Sequence, residues 1–460
     1  MAPDTQDVFA AIERRYPEFL DDLLDYLRIP SISTDPAYAG DIARCAAFVC
    51  ARMQAAGLGA RLLETAGHPM VYGEWLGAPG KPTLLFYGHY DVQPPDPLGE
   101  WRHPPFEPTL EGDELVARGA TDDKGQSHAH LAAVAAMLAE RGSLPVNVKF
   151  LIEGEEESGG QAIEAFVRED AGKLLACDAV VVSDSAMLGP GRPSLLYSLR
   201  GIAYFELEVS GASIDLHSGT FGGVVQNPLH ALSVVLAGLK DPARGRVLVE
   251  GFYDDVRALE PWEREEMAAI AIDDAALAAE LRVPVLTGEE GFATRERIGG
   301  RPTCDIHGLW GGYAGAGAKT VLPARGGAKV SMRLVPDQDP ARIAELVLRH
   351  VERAAPRGVR VEARMLHSAR PILIDTSGRM VEAALDAMED VWGRRPVRMR
   401  EGGSIPVVAT FIDVLRAPVL LLGFGLPDDR LHAPNEKLHL QQYAGGIRAT
   451  ARLLDRIGSP

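Results

Sequence analysis

Five short stretches of this 460-residue chain set histidines and carboxylates just past runs that read as buried strands. In LLFYGHYDVQPP, His89 and Asp91 follow the apolar run Thr83 to Tyr87. An imidazole with a carboxylate two residues on can bind a metal through one ring nitrogen while the acid holds the other N–H. A loop histidine beside a capping acid is the plainer role. In RGATDDKG, Asp122 and Asp123 precede a helix expected from Gln126 to Arg141. Such acids complement a helix dipole, or one of them bridges two cations. In EGEEESGG, Glu153, Glu155, Glu156 and Glu157 crowd together after the strand Asn147 to Ile152. Acidic runs are ordinarily solvated surface, but this one leaves a buried strand. Carboxylates so close cannot all stay ionised cheaply without a cation or some protons; one metal ligand beside one proton-handling neighbour resolves the conflict. Asp184 ends AVVVSD, and His432 lies in GLPDDRLHAPNEKL beyond the apolar run Pro418 to Phe424. Alone, each suits a cap or a turn. Together they share a placement: ligands of open α/β sheets bind outside the carboxyl ends of the strands.

Two histidines and three carboxylates suit two borderline divalent ions, zinc first, with manganese and cobalt also suited. Metals roughly 3.5–4 Å apart polarise a carbonyl and generate hydroxide near neutral pH. Hydrolysis then needs a non-ligating base, and a Glu next to a ligand Glu is placed for that work.

The elements that must position these groups are legible in outline. Apolar residues recur at helical spacing from Asp7 to Leu27 until Pro30, and again from Asp41, a possible N-cap, to Gly57. The strands near residues 83, 147 and 179 alternate with helices, which predicts a mostly parallel sheet covered on both faces. Near residue 200 the texture changes: AYFELEVS, residues 203–210, alternates apolar and polar as in a sheet with one wet face. With helices at 228–239 and 340–354 and strands near 328–335 and 360–365, this stretch reads as a small α+β unit. Residues 241–300 add an acidic, Ala-rich helical stretch that has no evident place in that unit. After Asp375 the first texture returns. The expected architecture is α/β: a catalytic domain of residues 1–199 and 373–460, interrupted by an inserted domain of residues 200–372.

Composition narrows the function. Lys and Arg number 47 against 64 Asp and Glu, a formal charge of −17 that repels polyanions and argues against nucleic-acid partners. Cys45, Cys50, Cys177 and Cys304 form neither a C-x-x-C pair nor a disulfide framework. The N-terminus shows no basic segment followed by an apolar one, and the longest Ala-rich apolar run is too short for a bilayer. A cytoplasmic protein without membrane partners is expected.

The motifs GHYDVQP, RGATDDKG, EGEEESGG, VVVSD, DLHSG, GAKTVLP, REGGSIP and HAPNEK together resemble the metallopeptidases of family twenty, nearest the carnosinase and cytosolic nonspecific dipeptidase branch. They run from residue 84 to residue 437 in the family's order. The resemblance implies a zinc-exopeptidase-like catalytic domain and a ferredoxin-like lid that makes a homodimer. It implies that His89 and Asp184 hold one metal, Glu157 and His432 the other, and Asp122 both. It makes Glu156 the general base, although the run of three glutamates admits an error of one position, and it makes Asp91 the partner of His89. His217 in DLHSG would reach the partner subunit's site and stabilise an oxyanion. Arg333 would grip a substrate carboxylate, Gly403 and Ser404 would line the pocket, and Glu401 would meet a free amino terminus. The implied activity is hydrolysis of dipeptides or short peptides with a free carboxylate; Asp rather than Glu at 184 favours dipeptides. An N-acyl amino acid deacylase or desuccinylase shares the ligands, and a catalytically inactive metal- or peptide-binding protein shares the fold.

Overall fold

The computed structural model describes residues 5–170, 173–403 and 405–459. The chain forms two compact units. One holds the residues up to Tyr197, Ile374–Arg398 and those from Pro406 on; the other holds Ser198–Leu373 and Met399–Ile405.

The first unit is built on one mixed sheet. Its neighbouring strands run in the order Gly59–Leu63, Met70–Trp75, Asn147–Glu153, Thr83–His89, Ala179–Val182, Val419–Leu421, Ser194–Leu199. The four from Asn147–Glu153 to Val419–Leu421 are mutually parallel, and the flanking strands are antiparallel. Parallel strands buried on both faces need continuous apolar runs, and Thr83–His89 supplies one: Leu84 to His89 are all buried. Alternate side chains serve opposite faces. Phe86 stacks on Phe150 at 5.0 Å, while Tyr87 meets Phe411 edge-on at 5.3 Å. Helices Thr5–Leu27, Ala39–Ala55, Lys124–Arg141, Arg379–Trp392 and Leu440–Gly458 bury their apolar stripes in one core.

Two helix starts differ from the sequence reading. The second helix begins at Ala39, so Asp41 sits in its first turn and Tyr38 takes the cap position. The central helix begins at Lys124, and Asp123 occupies its N-cap position. That helix buries nearly every side chain because small alanines allow close approach. It ends at Gly142, whose φ of 67° suits a residue without Cβ. Among the described residues, no helix is long and apolar enough to cross a membrane.

The second unit is a four-stranded antiparallel sheet ordered Thr303–Gly311, Arg325–Leu334, Gly201–Ser210, Arg360–Ala369. Ala203, Phe205, Leu207 and Val209 point to one face and share a core with helices Pro228–Ala237 and Pro340–Ala354. This is the expected α+β pattern. The helical stretch without an evident place folds into short helices, Pro261–Ala269, Asp274–Glu280 and Thr294–Gly300. Glu263 on the first of these forms a buried ion pair with Arg400 (Nε to Oε1 2.8 Å).

His128 and His130 lie inside the first unit's core. His128 Nδ1 is 2.7 Å from the Tyr443 hydroxyl, and His130 lies 2.8 Å from both Thr450 and Ser183 hydroxyls. Burial pushes their pKa values down from 6.5 to about 4 and about 3, so both stay neutral. Below the unfolded value of 6.5 the unfolded chain therefore binds protons that the fold refuses, and stability falls with pH. At about pH 5 each histidine is expected to cost about 2 kcal/mol. Replacing His130 with Gln should make the loss of denaturation midpoint between about pH 7 and pH 5 shallower; an unchanged slope would contradict the neutral assignment.

Candidate metal centre

Each candidate ligand stands where a strand or helix of the first unit ends. His89 is the last residue of its strand and is fully buried. The preceding glycine is required by space, because a Cβ on Gly88 would lie 2.6 Å from Asp123 Oδ2 and 2.7 Å from Ser127. This closeness lets the His89 N–H donate to Asp123 Oδ2 at 3.2 Å. Asp122 and Asp123 are joined by a cis peptide bond, and the Asp122 side chain is 8% exposed. Asp184 follows the strand Ala179–Val182, Glu157 lies in the short turn after Asn147–Glu153, and His432 has φ 60° in the loop after Val419–Leu421.

These five residues converge as two groups that share Asp122: His89, Asp122 and Asp184, and Asp122, Glu157 and His432. In each group the ligand atoms lie within 4.8 Å of one another. Asp122 Oδ1 is 3.2 Å from His89 Nε2, and Oδ2 is 2.9 Å from His432 Nε2. Asp184 Oδ2 stands 4.0 Å from His89 Nε2, and Glu157 Oε2 stands 3.4 Å from His432 Nε2.

The donor chemistry fits cations. His89 Nδ1 is turned to Asp91, 3.1 Å from its carbonyl and 3.4 Å from Oδ1. With the ring proton held there and a cation bound, Nε2 would offer its lone pair to the ion. That atom is buried without a hydrogen-bond partner and faces two carboxylates. Acceptors facing acceptors in a buried pocket are reconciled by a positive ion. Without a cation, protons answer the same conflict: against burial, the Asp122 and Asp91 carboxylates raise His89 well above its ordinary value. Burial works against charge on Asp122, but His432 and His89 hold its carboxyl below the usual range. Burial, then the neighbouring Asp122, pushes Asp184 up to about 7. Burial also raises Glu156, helped by Asp184 and Glu157. The Asp122 and Glu157 carboxylates lift His432 to about 10.

Asp91 has a second task. Its two carboxylate oxygens accept the backbone N–H groups of Glu156 (3.3 Å) and Glu157 (3.1 Å). One buried acid thus aligns His89 and holds the turn that carries the two glutamates. Glu156 belongs to neither ligand group. The crowding in EGEEESGG is relieved partly by protonation: Glu153 is buried, takes the Tyr87 hydroxyl at 2.7 Å, and is pushed up to about 8 by burial.

Sequence reasoning missed the residues that shape the loops. The Glu436 carboxylate, fully buried, accepts N–H groups from Gly119, Thr121 and Asp122 and pairs with Arg118 at 2.7 Å. Gln93 donates to Glu157 Oε2 at 2.7 Å. Gln93 lies four residues after His89 in GHYDVQP and Glu436 four after His432 in HAPNEK, so the only signal was a polar residue within a ligand's motif. His103 pairs with Glu111 at 2.6 Å, away from the ligand groups.

The other anticipated residues belong to the second unit. His217 is the exposed member of the short strand Leu216–His217, and its Nδ1 accepts the Gly219 N–H. Arg333 is half-buried opposite Thr303 and Ile202, and burial lowers its pKa. Glu401 ends the strand Val397–Glu401 and accepts the Gly402 N–H at 2.6 Å. Nothing lies within 4 Å of a Cβ built on Gly403, whereas one on Gly402 would meet the mobile end of the Arg200 side chain at 2.7 Å. Ser404 lies outside the described residues.

Residues 85–456 match the peptidase family M20/M25/M40. The chain is a member of this family. Among its M20 relatives are the Cys-Gly metallodipeptidase DUG1 of Candida albicans, 33% identical over 98% of this chain and 97% of that one, and the human Beta-Ala-His dipeptidase, 32% identical over 97% and 91%. The M20 fold recurs in the solved dipeptidase Dug1p of Saccharomyces cerevisiae, with TM-score 0.88, 31% identity and full coverage of both chains. It recurs also in the metallo-carboxypeptidase Sso-CP2 of Sulfolobus solfataricus, with TM-score 0.85, 35% identity and coverage of 96% and 99%.

Outer partners of metal-binding histidines set ring orientation and basicity. Replacing Asp91 with Asn should therefore weaken metal retention by about 10–100-fold. Chelator competition followed by elemental analysis measures this; wild-type retention would contradict the role given to Asp91.

Proposed function

We propose that this chain is a di-metal dipeptidase that cleaves the peptide bond of dipeptides or short peptides beside a free carboxylate. The carrying observation is the pair of ligand groups sharing Asp122, with the raised, non-ligating Glu156 in their field. His89 and Asp184 would hold one ion, Glu157 and His432 the other, and Asp122 both. The N/O donor set favours zinc and also suits manganese or cobalt. When bound, such a pair polarises the scissile carbonyl and acidifies water near neutrality.

The chain's own residues do the rest. Glu156 takes the proton of the attacking water and returns it to the leaving amine; a raised proton affinity suits a group that must both accept and release. Asp91 keeps the His89 ring in register. On the second unit, Arg333 offers a planar fork to the substrate carboxylate, Glu401 receives the free amino group, and Gly403 and Ser404 line the pocket. His217 serves the oxyanion of the partner subunit in a homodimer formed through this unit. The relatives' names, Cys-Gly and Beta-Ala-His dipeptidase, support unhindered dipeptides as substrates. A non-catalytic binding protein would have no use for Glu156. The cysteine usage supports a cytoplasmic setting.

A second reading, carboxypeptidase action on longer peptides, is favoured by the likeness to Sso-CP2. A panel of dipeptides, longer peptides and N-acetyl amino acids separates the readings; preference for the acetylated series would mark a deacylase. Within the panel, Glu156→Gln should lower kcat by about 10²–10⁴-fold while metal content stays unchanged. Near-normal turnover in that variant would remove Glu156 from the mechanism.

A further inference from the structure

The helices between residues 261 and 300 have no part in the hydrolytic reading, yet two of them close on one strand end. Met399–Ile405 belongs to the second unit, although it stands far along the chain from the rest of that unit. Near its start, Arg400 is buried and pairs with the equally buried Glu263 on the helix Pro261–Ala269. The Glu263 carboxylate has two tasks. Oε1 takes the Arg400 guanidinium, with Nε at 2.8 Å, and Oε2 accepts the Glu260 N–H at 2.7 Å, which holds the first turn of the helix. The helix Thr294–Gly300 bears on the same arginine. A Cβ on Gly299 would lie 2.5 Å from Arg400 Cβ and 2.7 Å from its carbonyl oxygen, so a glycine is what admits this approach. Arg264 joins the two helices through Glu296 at 2.7 Å.

Directly after Arg400 come the residues assigned to the substrate. The Glu401 carboxylate accepts the Gly402 N–H at 2.6 Å, and the Gly402 carbonyl accepts Arg200 Nε at 3.2 Å. A buried ion pair adds little net stability over an apolar pair of like volume, while either charge alone is strongly disfavoured. Such a pair admits one register of its two segments and rejects the others. One peptide bond separates Arg400 from Glu401, so a shift of the anchor carries the carboxylate with it. A misplacement of about 1 Å in a positioning group can cost about 10²-fold.

We infer that Glu263 and Arg400 are positioning residues: together with Gly299 they clamp the strand end so that the Glu401 carboxylate is held in place for the amino group of the substrate. The inference rests on the proposal that Glu401 receives that group. It extends substrate selection to residues 261–300, which supply no metal ligand.

The test uses the full-length, metal-loaded protein with Ala-Gly and with propionyl-Gly, the same molecule without its amino group. Affinity for propionyl-Gly is read as KM if it is cleaved and as a competitive KI if it is not. The double variant Glu263→Gln/Arg400→Met leaves no buried charge alone and keeps an acceptor for the Glu260 N–H, so its unfolding midpoint should stay near that of the wild type. KM for Ala-Gly should rise about tenfold or more, as for the loss of one charge-assisted hydrogen bond, with kcat little changed. The constant for propionyl-Gly should not move. Gly299→Ala, which displaces Arg400 without touching a charge, should give the same signature and carries the test should the double variant not fold. Arg400→Lys, which keeps the charge, should stay nearer the wild type. Equal losses for both ligands would mark a merely structural pair and overturn the inference, as would an unchanged KM for Ala-Gly in the folded double variant. Glu401→Gln separates this inference from the proposal beneath it. If Glu401→Gln weakens Ala-Gly selectively while the double variant does not, the clamp is wrong and Glu401 keeps its role. If Glu401→Gln leaves the selectivity intact, the role of Glu401 falls and the inference falls with it.

Discussion

The structure of the first unit depends on an electrostatic conflict at Asp122. One carboxylate stands between two imidazoles, 3.2 Å from His89 and 2.9 Å from His432, with further acids, Asp184 and Glu157, just beyond them. Protons can ease this only by being shared among groups that repel one another, which is why Asp184 and Glu156 are pushed up while His432 is held charged. Divalent cations meet all the acceptors at once. Such a site is intrinsically poor as a structural element and well suited to holding metal.

The surrounding fold keeps the conflict in place. Three parallel strands end together at His89, Glu153 and Val182, so the turns that follow them open on the same side of the sheet. Glu436 gathers the N–H groups of the Asp122 loop, and Asp91 joins the His89 ring to the backbone of Glu156 and Glu157. The His89 ring and the turn that carries Glu156 and Glu157 are therefore positioned by the same buried acid. A disturbance at Asp91 reaches both.

Much of this was legible in the sequence, for a physical reason. Strand ends are marked by apolar runs, and a histidine or acid just past such a run has few places to go; His89 and Asp184 were readable as candidates on that ground, while Glu157 was singled out of its acidic run only by resemblance. Asp122 could be separated from Asp123 only by resemblance, and the geometry distinguishes them: Asp122 faces both imidazoles, while Asp123 accepts the His89 backbone N–H. Glu436 and Gln93 were not legible, because a residue that acts through backbone amides or a neighbour's carboxylate leaves no spacing signal. The helical character of residues 261–300 was readable, but their placement was not. Their anchors are long-range, as in the Glu263–Arg400 pair.

Anomalous diffraction from crystals of the zinc-loaded protein, collected on both sides of the zinc edge, addresses the shared carboxylate directly. Two peaks flanking Asp122 are expected, one beside His89 and Asp184 and the other beside Glu157 and His432. Peaks elsewhere, or none within coordination distance of Asp122, would contradict a metal pair held by these five groups.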